Sequence, residues 1–172
     1  MRKVLFSFIA LMAVLTVQAQ SIHSSWHIMQ PIVETEADNS FKVQSLTYTF
    51  YEDGTYYLID ELTLSSEPSK TMELEVATNI ELKGTYTLEG NKLKLTPNMN
   101  TYKTELLSIS RNGRVTSDNK VKTKVNAMLT SKDFKAKFAQ PQEYTVTIGN
   151  ASLQMNDGKT TINYVRFATI KN

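Results

Sequence analysis

The strongest constraint on this chain is a strict two-residue alternation between Ile80 and Leu88. Ile80, Leu82, Gly84, Tyr86 and Leu88 share one side; Glu81, Lys83, Thr85 and Thr87 share the other. Residues two apart share a face only in an extended strand, so this period predicts a strand buried on one side and wet on the other. Glu89-Gly90-Asn91 then turns the chain into Lys92-Leu93-Lys94-Leu95, which continues the apolar face. A second hairpin runs from Tyr48 to Leu58 and pivots on Asp53-Gly54. Asp-Gly and Gly-Asn tolerate the positive φ angles of tight hairpin turns. Gly84, inside the apolar face, predicts a bend or a close backbone approach.

The rest of the chain reads as more strands. Ser24 to Ile32 forms a first one, closed or bent at Pro31, and residues 34–40 a polar loop. Val43 to Phe50 and Thr55 to Leu64 follow. Tyr56, Leu58, Leu62 and Leu64 share a face that Asp60 interrupts, which puts Asp60 either at a barrel rim or in a polar interior. Residues 65–71, with Pro68, read as a loop, Met72 to Val76 as a short extra strand, and Pro97 as a strand end. Thr104 to Ser110 is a further strand turned at Asn112-Gly113. Lys120 to Leu129 alternates in a way that favours a strand, although Val121, Val125, Met128 and Leu129 also satisfy a helix. Residues 131–138 predict a short helix, capped by Thr130 or Ser131, with Phe134 and Phe138 one turn apart. Three final strands occupy Tyr144 to Ile148, Ala151 to Met155 and Thr160 to Thr169. In the last, Ile162, Tyr164 and Arg166 compete with Val165 and Phe167 for the inward face. Eight to ten short strands with turns between them predict an all-β antiparallel barrel or sandwich.

The first nineteen residues predict an address. Arg2 and Lys3 precede an apolar run from Val4 to Val17, and Val17-Gln18-Ala19 offers small residues for cleavage before Gln20. This is the layout of a secretory signal peptide. The apolar run falls short of the ~20 residues needed to span a bilayer. The expected organisation is therefore a signal peptide at 1–19 and one domain at 20–172, periplasmic or secreted. There is no cysteine, which rules out a lipoprotein anchor, disulfides and thiol chemistry. Loss of residues 1–19 reduces the 19 basic residues to 17, matching the 17 acidic ones. A neutral chain argues against an electrostatic grip on nucleic acid or an anionic membrane. No membrane span is expected.

Several motifs together resemble a known family. They are Trp26, then Phe50 with Asp53-Gly54-Thr55-Tyr56, then Gly84-Thr85-Tyr86 with Leu88, Gly90-Asn91, Leu93 and Leu95, and last Gly158, Thr160, Tyr164 and Arg166. This series is similar to the small exported lipocalin-like proteins of Bacteroidetes-type bacteria. The resemblance implies an up-and-down barrel closed at one end by an arginine over the first-strand tryptophan, here Arg166 over Trp26. It departs from lipocalins proper at Ser24, where they carry glycine, and in lacking a Thr-Asp-aromatic triplet. It is weak between about Tyr102 and Gln140.

No catalytic constellation stands out. His23 and His27 are the only histidines; as metal ligands they would need Glu34, Glu36 or Asp38, and no known ligand spacing is met. Asp53-Gly54 and Asn156-Asp157-Gly158 resemble fragments of calcium loops but lack the full ligand set. Asp60 and Glu61 point to opposite faces of a strand and cannot form a carboxylate pair. The six lysines between Lys120 and Lys137 read as a solvated face, or as a surface for an anionic ligand. No metal, no cofactor and no enzymatic role are expected. The expected function is to hold a small apolar or amphipathic ligand in the barrel, against a lining of Leu46, Tyr48, Tyr56, Leu58, Tyr86, Leu88, Leu93, Tyr144 and Val146. The competing expectation is a barrel filled by its own side chains that works through its outer surface.

Overall fold

A computed structural model describes residues 21–36, 39–69 and 72–168. The expected signal peptide lies outside these residues, as does Asp38. The described elements are β1 (Ser24–Ile28), β2 (Ile32–Glu36), β3 (Asn39–Phe50), β4 (Thr55–Ser69), β5 (Met72–Glu89), β6 (Lys92–Arg111), β7 (Arg114–Val115), α1 (Asn119–Leu129), α2 (Lys132–Ala139), β8 (Gln142–Ile148), β9 (Ser152–Asn156) and β10 (Thr161–Ala168).

The strands form one antiparallel sheet that closes on itself. β1 pairs with β10, Trp26 opposite Arg166, and with the second half of β3, Trp26 opposite Tyr48. The remaining neighbours pair in chain order, so β1, β3, β4, β5, β6, β8, β9 and β10 make an up-and-down ring. Closure removes the free edges of the ring except where β6 parts from β8 beyond Leu95. Past Pro31, β2 replaces β1 along the first half of β3. Inward residues alternate with wet ones: in β5, Val76, Thr78, Ile80, Leu82 and Gly84 point in.

The ring is tight at one end and loose at the other. At the tight end Trp26, Phe50 and Ile22 are buried, and Phe50 meets Tyr86 edge-on with ring centroids 5.1 Å apart. β6 and β8 pair only through Lys92 to Leu95 and Gln142 to Thr145, level with Tyr86 and Leu88 of β5, and part toward the loose end. Beyond Leu95, β6 continues with β5 alone as its long partner, and the two helices lie alongside it. Phe138 and Lys135 pack on Tyr102. The helices connect β6 to β8 across the seam.

Several expectations need correction. The region 119–139 holds two helices, not one. Asp118 caps α1 by accepting from the Lys120 and Val121 amides at 2.8 and 3.4 Å, and Val125 and Leu129 are buried one turn apart. Residues 34–40 are not a plain loop, because β2 and β3 pair there as far as Glu36 opposite Asn39. β4 extends through the expected loop to Ser69, opposite Met72, so Met72 to Val76 belongs to one long β5. β6 does not end at Pro97, which pairs opposite Gly84 next to a register shift. Proline lacks the N–H that a central strand needs, but β6 has already parted from β8 at that point, so one of its edges is open.

Gly84 is the close approach that the sequence predicts. A Cβ there would lie 2.5 Å from the Tyr56 ring and would also collide with the Thr96 carbonyl. Tyr56 is itself buried against the core, so it has little room to yield. Gly84→Ala is expected to cost about 1–3 kcal/mol in chemical denaturation. A neutral result would mean that the Tyr56 ring does not rest on this backbone.

Candidate functional site

The site follows from the period of β4. Tyr56, Leu58, Asp60 and Leu62 all point inward, so the strand carries its one inner carboxyl group into the barrel. Asp60 sits between Leu46 of β3 and Ile80 of β5, its two cross-strand neighbours. It is only 6% exposed. Of the two sequence readings for this residue, the polar interior is the one that holds. Its Oδ1 has no hydrogen-bond partner among the described residues. Burial away from water disfavours the charged form and pushes its pKa up to about 7.

Asp60 opens onto a cavity of about 190 Å³ inside the ring. Tyr48 from β3, Tyr56 from β4, Tyr144 from β8 and Tyr164 from β10 line it, with Leu46, Leu58 and Leu82 as apolar walls. The Tyr48 ring lies 6.0 Å from both Tyr56 and Tyr164, tilted to one and edge-on to the other. Two of the hydroxyls already have partners of their own. Tyr48 hydrogen-bonds to Tyr144, and Tyr144 donates to Gln142 Oε1 at 3.0 Å. Burial raises the pKa of all four, above all that of Tyr48 and Tyr164, so they stay neutral near pH 7. Among the described residues, three acidic ones line the cavity, Asp60 and the more exposed Glu34 and Asp157, and no basic one does.

A second space adjoins the first. A cleft of about 640 Å³ lies between the helices and the inner face of the β3–β5 sheet. Leu64, Leu74, Val76, Val125, Phe134 and Phe138 give it apolar walls, and Lys137 is its one basic residue. Glu34, Phe41, Asp60, Phe138 and Gln142 line both spaces. Asp60 therefore stands at the junction of a polar, aromatic chamber and an apolar cleft.

Of the lining residues expected from the sequence, Leu46, Tyr48, Tyr56, Leu58 and Tyr144 meet around the inner cavity. Leu93 and Val146 are buried in the core. Tyr86 and Leu88 are half-buried, and the Tyr86 hydroxyl donates to the Tyr51 carbonyl at 2.8 Å, near the tight end. The sequence list lacks Asp60, Tyr164, Leu82 and Gln142. Tyr164 sits at the centre of the last strand's inward set, with Phe167 on the other side and 75% exposed. The Arg166 guanidinium carbon lies 4.9 Å from the Trp26 ring centroid, and the Trp26 indole N–H donates to the Ile22 carbonyl at 2.7 Å.

The histidines lie far apart in role. His27 Nδ1 is 2.9 Å from the Thr47 hydroxyl, and His23 Nδ1 is 3.9 Å from Glu52. Asp53 and Asp157 serve their own turns. Asp53 accepts from the Thr55 amide and hydroxyl at 2.9 and 2.6 Å, and Asp157 from the Lys159 and Thr160 amides at 2.8 and 2.7 Å. These bonds lower both pKa values. Among the described residues, no cluster of three or more His, Cys, Asp or Glu side chains could hold a metal ion. Nor is any helix among them long and apolar enough to cross a membrane.

No protein-family model matches the chain, and no curated protein matches it. Among solved structures, an uncharacterized protein from Bacteroides eggerthii aligns over 84% of this chain and 98% of its own. Its sequence identity is 12% and its TM-score 0.43. A similarity this loose carries no argument about function.

Proposed function

We propose that the protein is a binding module that takes one small amphipathic molecule into the barrel, with its polar end at Asp60 and its apolar part in the adjoining cleft. One observation carries this reading: a buried carboxyl oxygen with no partner opens into a cavity. A polar group buried without a partner costs on the order of 1–3 kcal/mol, more when charged, and a bound ligand relieves that cost. The size is suitable. An apolar cavity of ~150 Å³ holds a benzene-sized molecule, and the neighbouring cleft adds room for a chain. The proposal includes export, on the layout of residues 1–19, and a lipocalin-like mode of binding, with no chemical step.

The competing reading, a barrel that works through its outer surface, draws on Phe167, Val165 and Met29, which are exposed at the β1–β10 face. Native mass spectrometry separates the two. 1-Octanol, octanoate and octylamine share one tail and differ in their head groups. At least one is expected to form a saturable one-to-one complex. Val43→Phe, which thickens the cavity wall, should weaken that complex about tenfold while circular dichroism stays unchanged. No complex with any of the three sinks the binding reading.

A further inference from the structure

The chemistry around Asp60 specifies the ligand's head group, if the binding reading above holds. We infer that the interior ligand is a protonated primary or secondary amine, whose N–H groups meet the Asp60 carboxylate inside a box of tyrosine rings.

Four observations support this. First, Asp60 Oδ1 is buried and lacks a donor. A hydrogen-bond donor is what the site lacks, and a quaternary ammonium has none to give. Second, two of the chamber's hydroxyls are already committed elsewhere. Tyr144 donates to Gln142 Oε1, and the Tyr48 hydroxyl is engaged with Tyr144. Third, the chamber holds three carboxylates and no basic side chain, so an anionic head group would be repelled and a cation drawn in. Fourth, tyrosines contributed by β3, β4, β8 and β10 line the same cavity as the carboxyl, and the negative faces of aromatic rings attract cations. Fatty acids and other carboxylate ligands are the wrong charge for this chamber.

The cation that borders these spaces among the described residues is Lys137 of α2, at the cleft. Its ammonium lies over the Phe41 ring, 5.9 Å from the centroid, and forms no ion pair with Asp60. The amine of a ligand therefore fills a place that the chain's own lysine leaves open.

The same eight-carbon series tests this by calorimetry at pH 8. Octylamine is expected to bind at least about tenfold more tightly than 1-octanol, and octanoate most weakly, because a charge-assisted hydrogen bond is roughly twice as strong as a neutral one. Asp60→Asn, which keeps the side-chain shape, should remove the advantage of octylamine and leave octanol within about threefold of its wild-type affinity. Lys137→Met should leave the ranking unchanged. If octanol or octanoate binds as well as octylamine, the barrel binds ligands but the amine assignment is wrong. If Lys137→Met binds octylamine and the wild type does not, Lys137 is the natural partner of Asp60 and the assignment falls. If no member of the series binds either protein, both the assignment and the binding reading fail.

Discussion

Between pH 4 and pH 8, the wild-type protein is expected to lose about 4 kcal/mol of stability relative to Asp60→Asn. The cause is burial. The Asp60 carboxyl has an ordinary pKa of 3.8 in the unfolded chain and about 7 in the folded barrel. Across that interval the folded state holds a proton that the unfolded state has released. Its contribution to stability is fully present below the unfolded value and is lost as pH rises through the folded one. At about 1.4 kcal/mol per unit, the gap amounts to about 4 kcal/mol. The groups around it do not offset this. Tyr48, Tyr56, Tyr144 and Tyr164 stay neutral throughout, and Lys137 makes no ion pair with it. Urea unfolding of both proteins at half-unit pH steps measures the effect, because the histidines and the turn aspartates cancel in the difference. Parallel profiles over this range would mean that water reaches the carboxyl. A saturating amine that pairs with the carboxylate should flatten the wild-type slope.

Removing the tight-end plug should have a comparable effect. Trp26→Ala is expected to cost about 3–5 kcal/mol, the range for emptying a large aromatic from a core. Trp26 has no exposed surface. Its loss also leaves the Ile22 carbonyl without the indole donor and the Arg166 guanidinium without a ring beneath it. The second loss matters because Arg166 Nε already has no hydrogen-bond partner among the described residues. Trp26→Phe should recover most of the packing but not the indole hydrogen bond, and so should cost about 1 kcal/mol beyond the lost volume. Arg166→Met should cost about 1–2 kcal/mol in the wild type and little in Trp26→Ala. Independent, additive losses in the double mutant would show that the two side chains do not interact.

The sequence revealed which way side chains face far better than how deep they lie. Period-two alternation puts Tyr56, Leu58, Tyr86 and Leu93 all on inward faces, and all four are at least half-buried. It carries no information on height along the barrel axis. Tyr86 is near the tight end and Leu93 in the packed core, while Tyr56 and Leu58 reach the cavity. The same limit left Asp60 undecided between rim and interior, although the alternation had already assigned its face. The residues of α1 read as either strand or helix, with strand favoured, because Val121, Val125 and Leu129 satisfy both a two-residue and a helical period. The discriminating signal was Asp118, a cap residue placed just before the first turn. β4 and β6 run on through Pro68 and Pro97, where the sequence suggests a break because proline usually marks an end. Only the pairing shows that β6 has an open edge where its proline falls.

Closure of the ring by β1 also has a consequence for the order of events during synthesis. β1 is made long before β10, and each takes one of its two ladders of hydrogen bonds from the other. Until the last strand is available, β1 can rest only on β3, and the aromatic plug around Trp26 lacks Tyr164 and Arg166. Pairings between distant parts of a chain form late because their loop entropy must be met first. Truncation before β10 should therefore leave an open sheet with two exposed edges, a form prone to aggregation.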